Sequence, residues 1–186
     1  SSLMKTIDGS IGIIYPTFDE YPNRLDEKLI VPYYPKNRNF SYGSQDLMDY
    51  YEDTNIKALL LINPDNPSGN FMERSEVIRL AAWAQEKGIR LIVDESFVDF
   101  ANADDVQSLL SEVVLQKYKN LAVVKSISKS FGVPGLRLGV IGSADEELIR
   151  FIKKDIAIWN INSIAEFYLQ ICEKYKNEYN LALEKF

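Results

Sequence analysis

Lys57-Ala58-Leu59-Leu60-Leu61-Ile62, then Asn63-Pro64-Asp65-Asn66-Pro67-Ser68-Gly69, then Glu73 to Lys87, Gly88 and Ile89-Arg90-Leu91-Ile92-Val93, reads as strand, loop, helix and strand. The first run is short and apolar, as a strand buried in a parallel sheet requires, and the Pro64 and Pro67 loop ends it. Val77, Leu80, Ala81 and Ala84 repeat at helical spacing, and Gly88 stands where a helix C-terminus is capped. Two strands joined through an amphipathic helix make a parallel crossover unit.

The alternation continues on both sides. Ile11 to Tyr15 is predicted as a strand stopped by Pro16, and Leu29 to Tyr34 as a weaker one whose Pro32 suits a sheet edge. Ser44 to Tyr51 reads as a short helix capped by Ser44, with Leu47, Met48 and Tyr51 on one face. Downstream, a helix-containing crossover is expected over 104–117, with strands at Leu121 to Val124 and Leu136 to Ile141. A helix from Asp145 to Lys154 follows, and one long helix from Ile164 to Tyr179 leaves the sheet. The fold class is α/β, a mostly parallel sheet with helices on both faces, and no repeat or flexible linker divides it.

Composition narrows the chemistry. The 186 residues are 46% hydrophobic, enough for a buried core, and carry 21 Lys plus Arg against 27 Asp plus Glu, a net charge of -6. That balance disfavours nucleic acid, whose phosphates demand a basic face. With no histidine, Ser-His-Asp and Cys-His catalysis, His-ligated metals and an imidazole switch are excluded. The single cysteine, Cys172, leaves no disulfide or all-cysteine metal cluster within one chain. No apolar run approaches the roughly 20 residues of a membrane helix, and the first ten residues do not read as a signal peptide. The expectation is a cytoplasmic protein with no membrane partner, no nucleic-acid partner and no metal.

Three polar clusters follow predicted strands, at the carboxyl ends where open α/β sheets place their ligands. They are Asn63 to Gly69, Asp94-Glu95-Ser96-Phe97, and Ser126-Ile127-Ser128-Lys129-Ser130-Phe131-Gly132 with its continuation to Gly139. Singly, each has an ordinary explanation as a turn, a cap or a solvated lysine. Together they fit pyridoxal phosphate, which needs an amine to condense with its carbonyl, a carboxylate to keep its pyridine nitrogen protonated, and donors for its phosphate. Lys129, Asp94 and the group Ser126, Ser128 and Arg137 supply that set.

NPDNPSG at 63–69, DESF at 94–97 and SISKSFGVPGLRLG at 126–139, with Lys129 and Arg137 eight residues apart, closely resemble the fold-type I pyridoxal-phosphate enzymes. Within them the chain resembles the class I and II aminotransferases. The resemblance implies that Lys129 is the Schiff-base lysine and the acid/base of transamination, and that Asp94 pairs with the pyridine nitrogen. It further implies that Asn66 hydrogen-bonds the ring 3-hydroxyl and that Ser126 and Arg137, with Ser128 in the same set, hold the phosphate. Phe18 falls where the family stacks an aromatic residue on the ring, although core packing accounts for an aromatic after a strand nearly as well. A small amino-acid or amino-phosphate substrate and a homodimer are implied in the same way.

Inside that group the chain resembles histidinol-phosphate aminotransferase and threonine-phosphate decarboxylase, on its Pro-Thr-aromatic segment, its GLRLG ending and Trp159-Asn160-Ile161-Asn162. Phe97 stands where such aminotransferases usually carry Tyr and the decarboxylases commonly carry Phe. Residues 1–158 are expected to be part of the cofactor domain and 159–186 a connection toward a small domain. The family's N-terminal phosphate loop and its carboxylate-binding arginine are not found, so the segment alone is expected to be inactive. The readings are therefore an aminotransferase, with a decarboxylase of a phosphorylated amino acid or a noncatalytic module of the same fold as alternatives. A nucleotide-binding domain is disfavoured, since no GxGxxG or Walker-type loop follows a strand.

Overall fold

The structure is a computed structural model that describes residues 2–101 and 108–185. Among these residues six strands form one sheet: β1 (Ser10–Ile14), β2 (Ile30–Tyr33), β3 (Ile56–Ile62), β4 (Arg90–Asp94), β5 (Leu121–Lys125) and β6 (Val140–Ser143). Their order is β2-β1-β3-β4-β5-β6. β1 through β5 are parallel, and β6 closes the far edge antiparallel to β5. The helices are α1 (Ser44–Tyr51), α2 (Arg74–Glu86), α3 (Glu112–Lys117), α4 (Ile127–Ser130), α5 (Glu146–Asp155), α6 (Ser163–Cys172) and α7 (Lys176–Leu183).

Strand side chains alternate between faces, and the two cores follow that rule residue by residue. Leu59, Leu61, Leu91, Val93 and Val123 pack with Leu47, Tyr51, Val77, Leu80 and Ala84 of α1 and α2. Ala58, Leu60, Ile92 and Ala122 point the other way, onto Leu3, Met4, and Leu148 and Ile152 of α5. β3 is apolar nearly throughout because both of its faces are covered. The predicted edge strand is the edge strand, β2, where a proline lacking an N–H is tolerated. Gly88 takes φ +68° after α2, a left-handed turn that sends the chain back into β4.

Three expectations change. Ser44 lies inside α1 and is not its cap: the N-cap is Gly43, whose N–H donates to Asp46 Oδ2 at 2.8 Å. The Ser44 hydroxyl is spent on α2, accepting from Arg79 Nε at 3.1 Å. The strand predicted from Leu136 begins only at Val140, because Pro134–Leu136 is a 3-10 turn and Arg137 is left-handed, with φ 57°. The long C-terminal helix is two helices separated by a 3-10 turn at Glu173–Tyr175, and the break allows Tyr179 to face the lysine loop. Of the crossover expected over 104–117, α3 is its ordered helix, and residues 104–107 lie outside the described residues.

Candidate active site

Parallel strands end on one edge, so the segments after β1, β3, β4 and β5 share it, and antiparallel β6 brings the segment before it to the same edge. Phe18, Asn66, Ser126, Ser128, Lys129 and Arg137 lie on those segments, and Asp94 is the last residue of β4. Hydrogen bonds carry the order past the strand ends. Asn63 N donates to Asp94 O at 2.9 Å, Glu95 N to Val124 O at 2.8 Å, and Ser126 N to Ser96 Oγ at 3.0 Å.

Asp94 is 6% exposed, and a carboxylate so deep must be hydrogen-bonded. Its Oδ1 accepts from Ser96 N–H at 2.8 Å and its Oδ2 from the Tyr21 hydroxyl at 2.5 Å. Burial and the adjacent Asp94 charge both push the Tyr21 pKa up, so the phenol remains a neutral donor. Sequence reasoning missed Tyr21. It lies three residues beyond Phe18, yet nothing local separates it from the other tyrosines among 11. The rings of Phe18 and Tyr21 meet edge to face at 6.3 Å.

Lys129 sits in α4 with its Nζ 4.2 Å from the centroid of Phe97 and 5.4 Å from that of Phe18. Two aromatic rings thus line the amine in a cation–π arrangement, and among the described residues it has no carboxylate partner. Phe18 is 42% exposed, so it is a wall of this edge and not a core residue. Phe97 follows Asp94 by three residues and brings its ring against the same amine.

The loop after β3 is rigidly braced. Asn63 exchanges two bonds with the Met72 backbone, at 2.9 and 2.8 Å, and Asp65 accepts from the Ser68 hydroxyl. Asn66 is carried between these braces, half-buried, and its side-chain amide has no hydrogen-bond partner among the described residues. Ser126 Oγ and the exposed Arg137 guanidinium are likewise uncommitted there. Ser128 differs: it is 3% exposed, its hydroxyl donates to Leu138 O at 3.2 Å, and its oxygen accepts from Leu138 N at 2.8 Å. A non-glycine residue in the left-handed region costs about 1–3 kcal/mol unless its surroundings over-determine it. The Ser128–Leu138 bonds, one residue past Arg137, are that constraint.

Beneath the site Glu95 is 3% exposed and accepts from Ser108 Oγ at 2.5 Å and Leu109 N at 2.8 Å. Burial raises its pKa above the ordinary 4.5 despite those bonds. The raised value means the folded chain holds this proton more tightly than the unfolded chain. Its ionisation therefore costs stability above the raised pKa, and the cost vanishes as pH falls below the unfolded value. Gln at 95 keeps both contacts, donating to Ser108 Oγ and accepting from Leu109 N. Glu95→Gln is thus expected to be more resistant to urea than wild type at pH 7 and equal to it near pH 4. A loss of equal size at both pH values would contradict the assignment.

A mostly parallel six-stranded sheet flanked by helices is the fold of the type I pyridoxal-phosphate enzymes. Residues 10–172 match aminotransferase class I and II, and the chain belongs to that family, whose cofactor is pyridoxal phosphate. It is 32% identical over 167 residues to the L-serine phosphate decarboxylase of Sulfurospirillum multivorans, covering 87% of this chain and 41% of that protein. The fold superimposes on histidinol-phosphate aminotransferase from Clostridium acetobutylicum with a TM-score of 0.82 at 25% identity, covering 98% of this chain and 53% of the other. On L-threonine-O-3-phosphate decarboxylase from Porphyromonas gingivalis the TM-score is 0.71 at 26% identity, over 91% and 52%. The chain thus spans about 41% of the length of the first of these relatives and about half of each of the two solved chains. Among the described residues no helix is long and apolar enough to cross a membrane.

Proposed function

We propose that this chain supplies the cofactor-holding part of an aminotransferase of the histidinol-phosphate type. The observation that carries the reading is Lys129, its amine bounded by Phe97 and Phe18 on the same sheet edge as buried Asp94. Pyridoxal phosphate, when bound, supplies a carbonyl for amines and a ring that draws electrons from the substrate α-carbon. Lys129 holds the cofactor and afterwards moves a proton at that α-carbon. Asp94, oriented by Tyr21 and Ser96, pairs with the pyridine nitrogen, and Asn66 turns its free amide to the ring 3-hydroxyl. Ser126 and Arg137 hold the phosphate through charge-assisted bonds, while Ser128 belongs to the same set by fixing the backbone beside Arg137. Residues 1–158 serve as the cofactor domain and 159–186 as the connection to a smaller one. A homodimer in the cytoplasm acting on a small amino acid or amino phosphate completes the reading.

Asp94→Asn keeps the shape but removes the charge opposite the ring nitrogen, and is expected to weaken cofactor retention about tenfold or more, the worth of a charged hydrogen bond. Equilibrium dialysis with pyridoxal phosphate measures it. Retention equal to wild type would remove Asp94 from the site.

A second reading, decarboxylation of a phosphorylated amino acid, is favoured by Phe97. It lies against Lys129 and has no hydroxyl to offer the cofactor. The intact protein with pyridoxal phosphate should be given histidinol phosphate with 2-oxoglutarate and, separately, L-serine phosphate and L-threonine phosphate. Glutamate formation without carbon dioxide supports the aminotransferase. Carbon dioxide release from either phosphorylated amino acid replaces it with the decarboxylase, and neither product would sink both.

A further inference from the structure

The C-terminal helix reaches the lysine loop through Tyr179. Its ring stacks on Phe131, centroids 4.1 Å apart and planes inclined by 12°. Its hydroxyl donates to Asp99 Oδ2 at 3.2 Å. Asp99 Oδ1 in turn accepts from Lys125 Nζ at 2.6 Å, in a pair whose side chains are only 16% and 20% exposed. Lys125 directly precedes Ser126, and Phe131 lies two residues past Lys129. Asp99 belongs to the turn Val98–Phe100 that follows Phe97. One side chain therefore engages both flanks of the lysine loop and the turn beside the aromatic ring that lines the amine.

α7 buries none of its own residues fully, so core packing does not account for where it lies. Burial and the Asp99 charge push the Tyr179 pKa up to about 12, and the phenol is a neutral donor to Asp99 through the physiological range. Stacking of this geometry is worth about 2- to 13-fold in an equilibrium beyond its buried area. The 3.2 Å bond to a carboxylate already paired with Lys125 adds less.

We propose that Tyr179 is a positioning residue, clamping the Lys129 loop through Phe131 and Asp99 so that the amine is held ready for its cofactor. The proposal rests on Lys129 as the attachment point, and it makes the C-terminal segment a determinant of cofactor retention although it lies outside the sheet.

The test uses the intact protein with Tyr179→Leu, which removes the ring, and Tyr179→Phe, which keeps it. Amide hydrogen exchange without added cofactor is followed in peptides covering 126–133 and, as reference, β3 and β4. The visible absorbance on titration with pyridoxal phosphate is followed in parallel. Tyr179→Leu is expected to exchange severalfold faster at 126–133 with unchanged β3 and β4, and to need about tenfold more cofactor for half-saturation. Tyr179→Phe should restore both to within about threefold. Wild-type exchange and half-saturation in Tyr179→Leu would overturn the clamp, as would a Phe variant as impaired as the Leu one. If Tyr179→Leu does not fold, Phe131→Leu removes the stack from its other side and is read in the same way. A wild-type protein that takes no cofactor would refute the reading of the site, while the exchange comparison would still decide the clamp.

Discussion

Lys129→Ala is expected to abolish the visible absorbance that pyridoxal phosphate gives with the wild-type protein and to lower turnover by about 10³-fold or more. Two losses combine in that figure. On the proposed function, the variant lacks both the amine that holds the cofactor and the group that moves the proton, the latter a contribution typically of about 10²- to 10⁴-fold by itself. Stability should hardly change. What the folded chain loses is the contact of the amine with Phe97 and Phe18, about 0.5–1 kcal/mol at a partly exposed site. Lys129→Arg sharpens the test, since a guanidinium keeps the charge and the aromatic contacts but neither condenses with a carbonyl nor gives up its proton. Both variants should therefore be inactive while melting close to wild type. An Ala variant that retains the absorbance band would move the attachment point elsewhere.

Tyr51→Ala carries the largest expected effect on folding. Tyr51 is fully buried at the end of α1, its ring meets Tyr50 edge to face at 4.9 Å, and its hydroxyl donates to Val31 O at 3.0 Å. Truncating a buried aromatic of this size costs about 3–5 kcal/mol, a large part of the stability of a single domain. Tyr51→Phe should cost only about 1 kcal/mol, the worth of the bond to Val31. The ring lies over Gly12 of β1, so closely that a Cβ there would meet Tyr51 Cζ at 2.7 Å and Leu59 Cδ1 at 2.9 Å. Gly12→Ala alone should then cost about 1–3 kcal/mol by overpacking. In the Tyr51→Ala background the ring is gone, only the mobile end of Leu59 must yield, and the same methyl fills part of the cavity. The double variant should be more stable than the sum of the singles predicts, by an amount that urea unfolding resolves. Strict additivity would show that the two residues do not pack as described.

Much of this architecture could be read from local pattern. β3, α2 and β4 announce themselves through an unbroken apolar run, helical spacing and a glycine after the helix, because each depends on residues within a few positions of one another. The three polar clusters were legible for the same reason: each is contiguous, and the parallel arrangement of the strands follows from the helices between them. The errors arose where a distant group intervened. Ser44 looked like a cap until Arg79, 35 residues away, claimed its hydroxyl. The stretch before β6 has the apolar content of a strand, but Arg137 turns left-handed there and Ser128 ties Leu138 back to the lysine loop. The C-terminal helix breaks at Glu173–Tyr175, where no proline or glycine marks the stop.

The linear order of residues determined the α/β class and the family motifs, and it singled out Lys129, Asp94, Asn66, Ser126 and Arg137 as candidates, since periodicity and short motifs are local properties. The pairings that shape the site came from the folded chain alone. Tyr21 reaches Asp94 across 73 residues, Tyr179 reaches Asp99 across 80, and Lys129 finds its two aromatic neighbours on separate loops. Such contacts follow from where a sheet edge gathers its loops, which no window of sequence spans.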